Sequence, residues 1–214
     1  MRDEQLLGEV FRLACRYAGQ APSPQGLATE LRASLPGDVG TNRVRHYLEF
    51  LDSTLLLRLI PPLEIRLKRR KGFAKICLCD PALRAAYLQE QVPLLPESQD
   101  VDPHLRDLAG HVAESVLGYF LSGIPGIELA WAPERGNEPE IDFVVTVGTQ
   151  RIPIEVKYRN VIEPGRDAEG LRSFIDKRVH NAPFGVMVTK QDVDPSSLPP
   201  SVLAVPLPSV LMIR

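Results

Sequence analysis

Asp142, Glu155 and Lys157 stand in the stretch "EIDFVVTVGTQRIPIEVKY", residues 140–158, among residues that otherwise favour β-strands. Charged side chains are depleted from strands and rarely buried without partners. Gly148-Thr149 suits a two-residue hairpin turn with glycine at its first central position. That turn pairs Val147 with Gln150, Val145 with Ile152, Phe143 with Ile154 and Ile141 with Val156, so one whole face is apolar. On the other face Asp142 lies across from Glu155, with Lys157 two residues further along. Like charges directly opposed, with Cβ atoms roughly 5 Å apart, destabilise a hairpin. A divalent cation between them removes the conflict, because Mg2+ binds through one or two carboxylates together with waters and substrate phosphate. Such an ion polarises a phosphoryl oxygen, and a neighbouring Lys157 stabilises charge that develops there. The competing reading is a solvated face on which Glu140 pairs with Lys157.

The residues ahead of this hairpin, "DPHLRDLAGHVAESVLGYFLSG", predict a helix that Asp102 caps, Pro103 starts and Gly123 follows. Leu105, Leu108, Val112, Val116 and Phe120 form its expected core stripe. Glu114 falls nearly opposite Leu105, on a row with Gly110 and Gly118. Each helical glycine costs about 1 kcal/mol against alanine, so two of them predict a close approach to that face. A Glu114 exposed to water is the alternative. His111, one turn before Glu114, could join the site or face solvent. After the hairpin, "DAEGLRSFIDKRV" reads as a crossover helix and "PFGVMVTK" as a buried strand, which permits parallel pairing. The Pro-dense but apolar tail reads as edge strands.

The first half begins with an amphipathic helix over Glu4–Tyr17, with Leu6, Leu7, Val10, Leu13 and Ala14 on one stripe. Ser23 with Pro24 starts a second helix. Thr41 is the expected cap of a third, which faces Val44, Leu48 and Leu51 inward and Asn42, Arg43, Arg45, His46 and Glu49 outward. Two or three short strands follow, in "LLLRLI", "LEIRLKRR" and "FAKICLCD". Three helices and then a basic hairpin is the order of a winged helix-turn-helix. Its third helix could enter a major groove while the tip, Lys68, Arg69, Arg70 and Lys71, holds phosphate. A solvated helix and turn used for protein contacts is the other reading.

Charge divides the chain in the same way. Residues 1–92 carry 14 Lys and Arg against 10 Asp and Glu, and the remainder carries 11 against 17. The division falls in "QEQVPLLPESQDVDP", which reads as a linker. The expected organisation is therefore a first module over 1–92, a linker over 93–103 and a second module over 104–214. No apolar run is long enough to span a bilayer, nothing resembles a signal peptide, and three cysteines make no disulfide framework or four-ligand zinc site. A cytoplasmic protein is expected. The four histidines form no local metal motif, and no G-x-S-x-G elbow occurs.

Asp142, the Glu155-Val156-Lys157 triplet and a preceding helix with Glu114 resemble the PD-(D/E)xK nuclease superfamily. The resemblance implies a restriction-endonuclease-like α/β domain with a mixed sheet flanked by helices. It makes Asp142 and Glu155 ligands of Mg2+ or Mn2+, Lys157 the catalytic lysine, and Glu114 a further ligand, often through water. Ile141 stands where the strict "PD" motif has proline. Arg159 shares the face of Lys157, and with Arg172, Lys177 and Lys190 could line a path for phosphates. "LAGHVAESVL", "EIDFVV", "IPIEVKYR" and "GLRSFIDK…PFGVMVTK", with a winged helix ahead, are also similar to the C-terminal region of a group of prokaryotic AAA-type ATPases. No G-x-x-x-x-G-K-[ST] loop is present, so ATP binding is not expected and the chain reads as a fragment, a truncated gene or a stand-alone relative. The implied partner is nucleic acid, read as DNA, and a homodimer would suit cleavage of both strands. Two other classes compete: a nucleic-acid-binding or assembly module with an inactive site, and a defence or toxin-like protein acting through protein contacts.

Overall fold

A computed structural model describes residues 2–35, 38–64, 72–90, 103–136 and 138–213. The expected helix cap at Asp102 and the cationic tip Lys68, Arg69, Arg70 and Lys71 lie outside those residues. The protein is α/β, with helices on a mixed sheet.

Helix α1 (Arg2–Arg16) carries the expected stripe, with Leu6, Val10, Leu13 and Ala14 buried. In α2 (Pro24–Ser34) the Ser23 hydroxyl accepts from Gly26 N at 2.9 Å, a side-chain cap with proline at the first turn. Thr41 does not cap α3 (Thr41–Ser53). Gly40 holds that position without a side-chain bond, and the Thr41 hydroxyl instead donates to Gln25 Oε1 at 2.6 Å, tying α3 to α2. Val44, Leu48 and Leu51 close a core with α1, α2 and the strands β1 (Leu57–Ile60) and β2 (Lys75–Leu78). These two strands pair antiparallel, from Leu57 with Leu78 to Ile60 with Lys75. After β2 the chain enters a helix absent from the expected elements, α4 (Pro81–Leu88), because Asp80 accepts from Ala82 N at 2.8 Å and Pro81 fits the first helical position. From α4 the buried Arg84 donates to the carbonyls of Cys15 and Arg16, each at 2.6 Å, and satisfies the end of α1.

The larger sheet has the order β3-β4-β5-β6-β7. β3 (Glu128–Ala132), β4 (Ile141–Val147) and β5 (Gln150–Lys157) run antiparallel, whereas β6 (Gly185–Thr189) and β7 (Val202–Pro206) continue parallel to β5. The crossover from β5 to β6 passes through α6 (Pro164–Asp167) and α7 (Glu169–Ile175), as the sequence suggests. The tail forms the edge strand β7 and a final turn of helix, α8 (Leu207–Val210). β3 has no equivalent among the expected elements.

α5 (Pro103–Ser122) covers one sheet face and α7 the other. The buried face of α5 is not the expected stripe. Of that stripe Val112 is buried, together with Ala109, Ala113, Leu117 and Leu121, while Leu105, Leu108, Val116 and Phe120 are only partly covered. The helix is turned by about one residue from the expectation, about 100° at 3.6 residues per turn. β1 and β2 cause the difference: Ile60 and Cys77 join the core beneath α5, so the helix packs against two sheets. The segment after β1 also lies along β3, with Leu63 N donating to Trp131 O at 2.7 Å and Trp131 N to Pro61 O at 3.0 Å. That contact covers the open edge of the larger sheet.

The expected hairpin register holds from Val147–Gln150 through Phe143–Ile154, with the turn at Gly148, whose φ is +59°. Beyond that point β4 departs from it. Ala130 pairs with Val144 but Ala132 with Ile141, so Asp142 and Phe143 together oppose the one residue Trp131. This bulge breaks the alternation of β4. Ile141 packs on the α7 side with Val144, whereas Phe143 packs on the α5 side. The expected Ile141–Val156 pair is absent from the ladder, and Val156 N donates instead to Asp142 Oδ2 at 2.8 Å.

Candidate cation and phosphodiester site

Glu114, Asp142, Glu155 and Lys157 come together where β4 begins and β5 ends, beneath α5. Their side chains are 14%, 11%, 13% and 25% exposed, so all four are removed from bulk water. Glu114 is not solvated. The rotation of α5 turns it toward the sheet, and Gly118 one turn later makes the approach possible. A Cβ at Gly118 would lie 2.4 Å from Cys77 Sγ and 2.7 Å from the Phe143 ring. Gly110 meets nothing within 4 Å, so the expected close approach holds for one glycine of the two.

A residue from the first half occupies the centre of the cluster. Lys75, 1% exposed at the end of β2, places Nζ 3.0 Å from Glu114 Oε2, 3.3 Å from Asp142 Oδ1 and 3.4 Å from Glu140 Oε1. The same nitrogen lies 5.4 Å from the centroid of the Trp131 ring and 5.2 Å from that of Phe143. Trp131 is fixed by its indole N–H, which donates to Phe73 O at 3.0 Å. Lys75 is the member of the cluster that sequence reasoning missed. Its signal was a lysine inside the apolar run "FAKICLC", the same anomaly that marked Asp142.

Lys157 donates to Glu155 Oε1 at 2.6 Å. The expected cross-strand pair of Glu140 with Lys157 is therefore not formed, because Glu140 turns to Lys75 and Lys157 to its own strand neighbour. Glu155 Oε2 is buried and has no hydrogen-bond partner among the described residues. Four carboxylates, Glu114, Glu140, Asp142 and Glu155, stand against the two ammonium groups of Lys75 and Lys157. With all of these groups ionised, the described residues of the cluster would carry two negative charges in excess.

That excess shows in the titration of its members. Burial holds the Asp142 carboxyl well above the usual carboxylate range, and the charges of Glu155 and Glu114 push the same way against Lys75. Burial also raises Glu155, with Lys157 opposing. Burial works in the same direction on Glu114, but its neighbours His111 and Lys75 outweigh it and lower its pKa. Of these, Lys75 at 3.0 Å is hydrogen-bonded, whereas His111 Nδ1 at 3.7 Å lies beyond hydrogen-bonding distance. Burial would lower both lysines, yet Asp142 and Glu114 raise Lys75, and Glu155 raises Lys157. Both are ammonium ions at neutral pH.

The donor set suits a hard cation in part. Among the described residues Glu155 Oε2 is a buried carboxylate oxygen without a hydrogen-bond partner, and Asp142 and Glu155 offer the hard oxygen donors that such an ion takes. Among the described residues, however, no group of three His, Cys, Asp or Glu side chains is placed so that it could hold a metal ion as it stands. Water and phosphate oxygens must supply the rest, as is usual for Mg2+.

The other expected contacts lie outside this cluster. Arg159 is paired with the buried Asp167, which also accepts from Glu163 N at 2.9 Å. Lys177 donates to Glu138 at 2.5 Å and Lys190 to Asn160 at 2.9 Å. Arg43 and Arg45 lie on the exposed face of α3, with Asn42, His46 and Glu49. Among the described residues, no helix is long and apolar enough to cross a membrane.

No family model matches the chain, and no curated protein matches it. Among solved structures it is similar to the crystal structure of protein VC1899 from Vibrio cholerae, at 14% identity over 97% of this chain, with a TM-score of 0.33. The chain spans 53% of the length of that protein.

Proposed function

We propose that this protein is a divalent-cation-dependent nuclease of the PD-(D/E)xK kind. One observation carries the reading: Glu114, Asp142, Glu155 and Lys157 converge in a largely buried cluster in which, among the described residues, Glu155 Oε2 has no hydrogen-bond partner. In this reading Asp142 and Glu155 hold Mg2+ or Mn2+, and Glu114 contributes from the helix. When bound, the ion supplies Lewis-acid polarisation of a phosphoryl oxygen. Lys157 stays protonated beside Glu155, so it is a donor to the charge that builds on phosphate rather than a base. Glu155 Oε1 orients that ammonium, and the Val156 N–H orients Asp142 through Oδ2.

The first half is read as a winged helix that presents Arg43 and Arg45 from α3 to DNA. The resemblance to the C-terminal region of prokaryotic AAA-type ATPases belongs to the same reading. Lys75 favours a second one, in which an inactive nucleic-acid-binding or assembly module keeps a lysine as permanent counter-ion to its carboxylates.

Cleavage of supercoiled, linear and single-stranded DNA, with RNA in parallel, separates the two. The nuclease reading expects cleavage with Mn2+ or Mg2+ that EDTA abolishes and that falls about a hundredfold in Glu155→Gln and in Lys157→Met. Binding of DNA without cleavage of any of these substrates supports the inactive module. Cleavage equal in parent and variants rejects this site as its source.

A further inference from the structure

We propose that Lys75 is the site's own cation, so that a divalent ion enters only by displacing its ammonium and residue 75 sets the affinity for the ion. The inference rests on the cation reading above and adds a residue to it, from the sheet of the first half.

The oxygen inventory carries it. Asp142 Oδ2 is committed to the Val156 N–H at 2.8 Å, so Oδ1 is the oxygen through which Asp142 could bind an ion. Lys75 Nζ holds that oxygen at 3.3 Å, and at 3.0 Å it also holds Glu114 Oε2. Glu155 Oε2, which Lys75 does not reach, is left without a hydrogen-bond partner among the described residues. One ammonium thus holds one oxygen of each of two of the three expected ligands, and a cation that used Asp142 Oδ1 would stand in its place. Two positive ions cannot share that position, because their repulsion adds to the loss of the Lys75 contacts.

Lys75 is nevertheless not tied by the carboxylates alone. Its nitrogen faces the Trp131 and Phe143 rings, which attract an ammonium on their own. Its third carboxylate, Glu140, is half exposed and lies outside the expected ligand set. Displacement therefore leaves the ammonium an alternative partner near the rim of the site.

The test compares Mn2+ binding by calorimetry in the parent and in Lys75→Met, whose thioether fits against the two rings without charge. The variant should bind Mn2+ at least about tenfold more tightly, the weight of roughly 1.4 kcal/mol, and should gain more in Tm from Mn2+ than the parent does. Equal affinities overturn the role of Lys75 and leave the cation site standing. No binding in either protein overturns both. A second measurement needs no variant: amine-directed labelling of the parent, read by mass spectrometry at Lys75. Labelling that rises several-fold on saturation with Mn2+ supports displacement. Labelling that stays unchanged while Mn2+ binds contradicts it.

Discussion

Lys75 Nζ and Asp142 Oδ1 lie 3.3 Å apart, although 67 positions separate the two residues in the chain. The contact joins the small sheet of the first half to the bulged strand of the second. It answers the problem that Asp142 raises: a carboxylate held among like charges needs a cation, and this chain brings one from elsewhere. Stability and the proposed cation binding are therefore linked at one residue.

Removal of the Lys75 charge leaves Glu114 and Asp142 buried without a counter-ion. Lys75→Met should lose about 3–5 kcal/mol of stability, measured by urea unfolding without divalent cations. A double-mutant cycle with Asp142→Asn should recover part of the loss, since the two residues share one interaction. Full additivity would mean that the pair contributes nothing to the fold.

The two glycines of α5 should respond in opposite directions. Gly118→Ala forces a methyl group into Cys77 and Phe143 and should cost about 3 kcal/mol. Gly110→Ala meets open space and should stabilise the helix by about 1 kcal/mol. Thermal unfolding of both variants checks the packing of α5 directly.

His180 predicts part of the acid response. It is buried, its Nδ1 lies 2.8 Å from Phe174 O, and its ring lies 3.9 Å from that of Phe174. A carbonyl only accepts, so Nδ1 carries the hydrogen and Nε2 takes any second proton. Burial lowers its pKa from the ordinary 6.5. The unfolded chain then binds the proton first, so the stability from neutral His180 is fully present above pH 6.5 and is lost as pH falls through the folded value. Unfolding free energies between neutral and mildly acid pH should fall less steeply in His180→Phe than in the parent.

The parts legible in the sequence are those set by local pattern. Ser23 with Pro24 starts α2, Gly148 sets the hairpin turn, and the apolar alternation of Phe143, Val145 and Ile154 sets its register. What escaped depends on distant contacts. The face that α5 buries is chosen by Ile60 and Cys77, which no helical period in α5 records. The bulge at Asp142 and Phe143 depends on how β4 pairs with β3, a strand that the sequence did not declare. Lys75 was visible as an oddity in its own strand, but its partners could be named only once α5, β2 and β4 were in place.

The central claim is that Asp142 and Glu155 bind a divalent cation. Loss of the free Mn2+ electron paramagnetic resonance signal on titration with protein measures this without any choice of substrate. The account predicts that the parent removes one equivalent of Mn2+ from solution, and that Asp142→Ala and Glu155→Gln each abolish the uptake. An undiminished Mn2+ signal with the parent, or equal uptake by all three proteins, would contradict it.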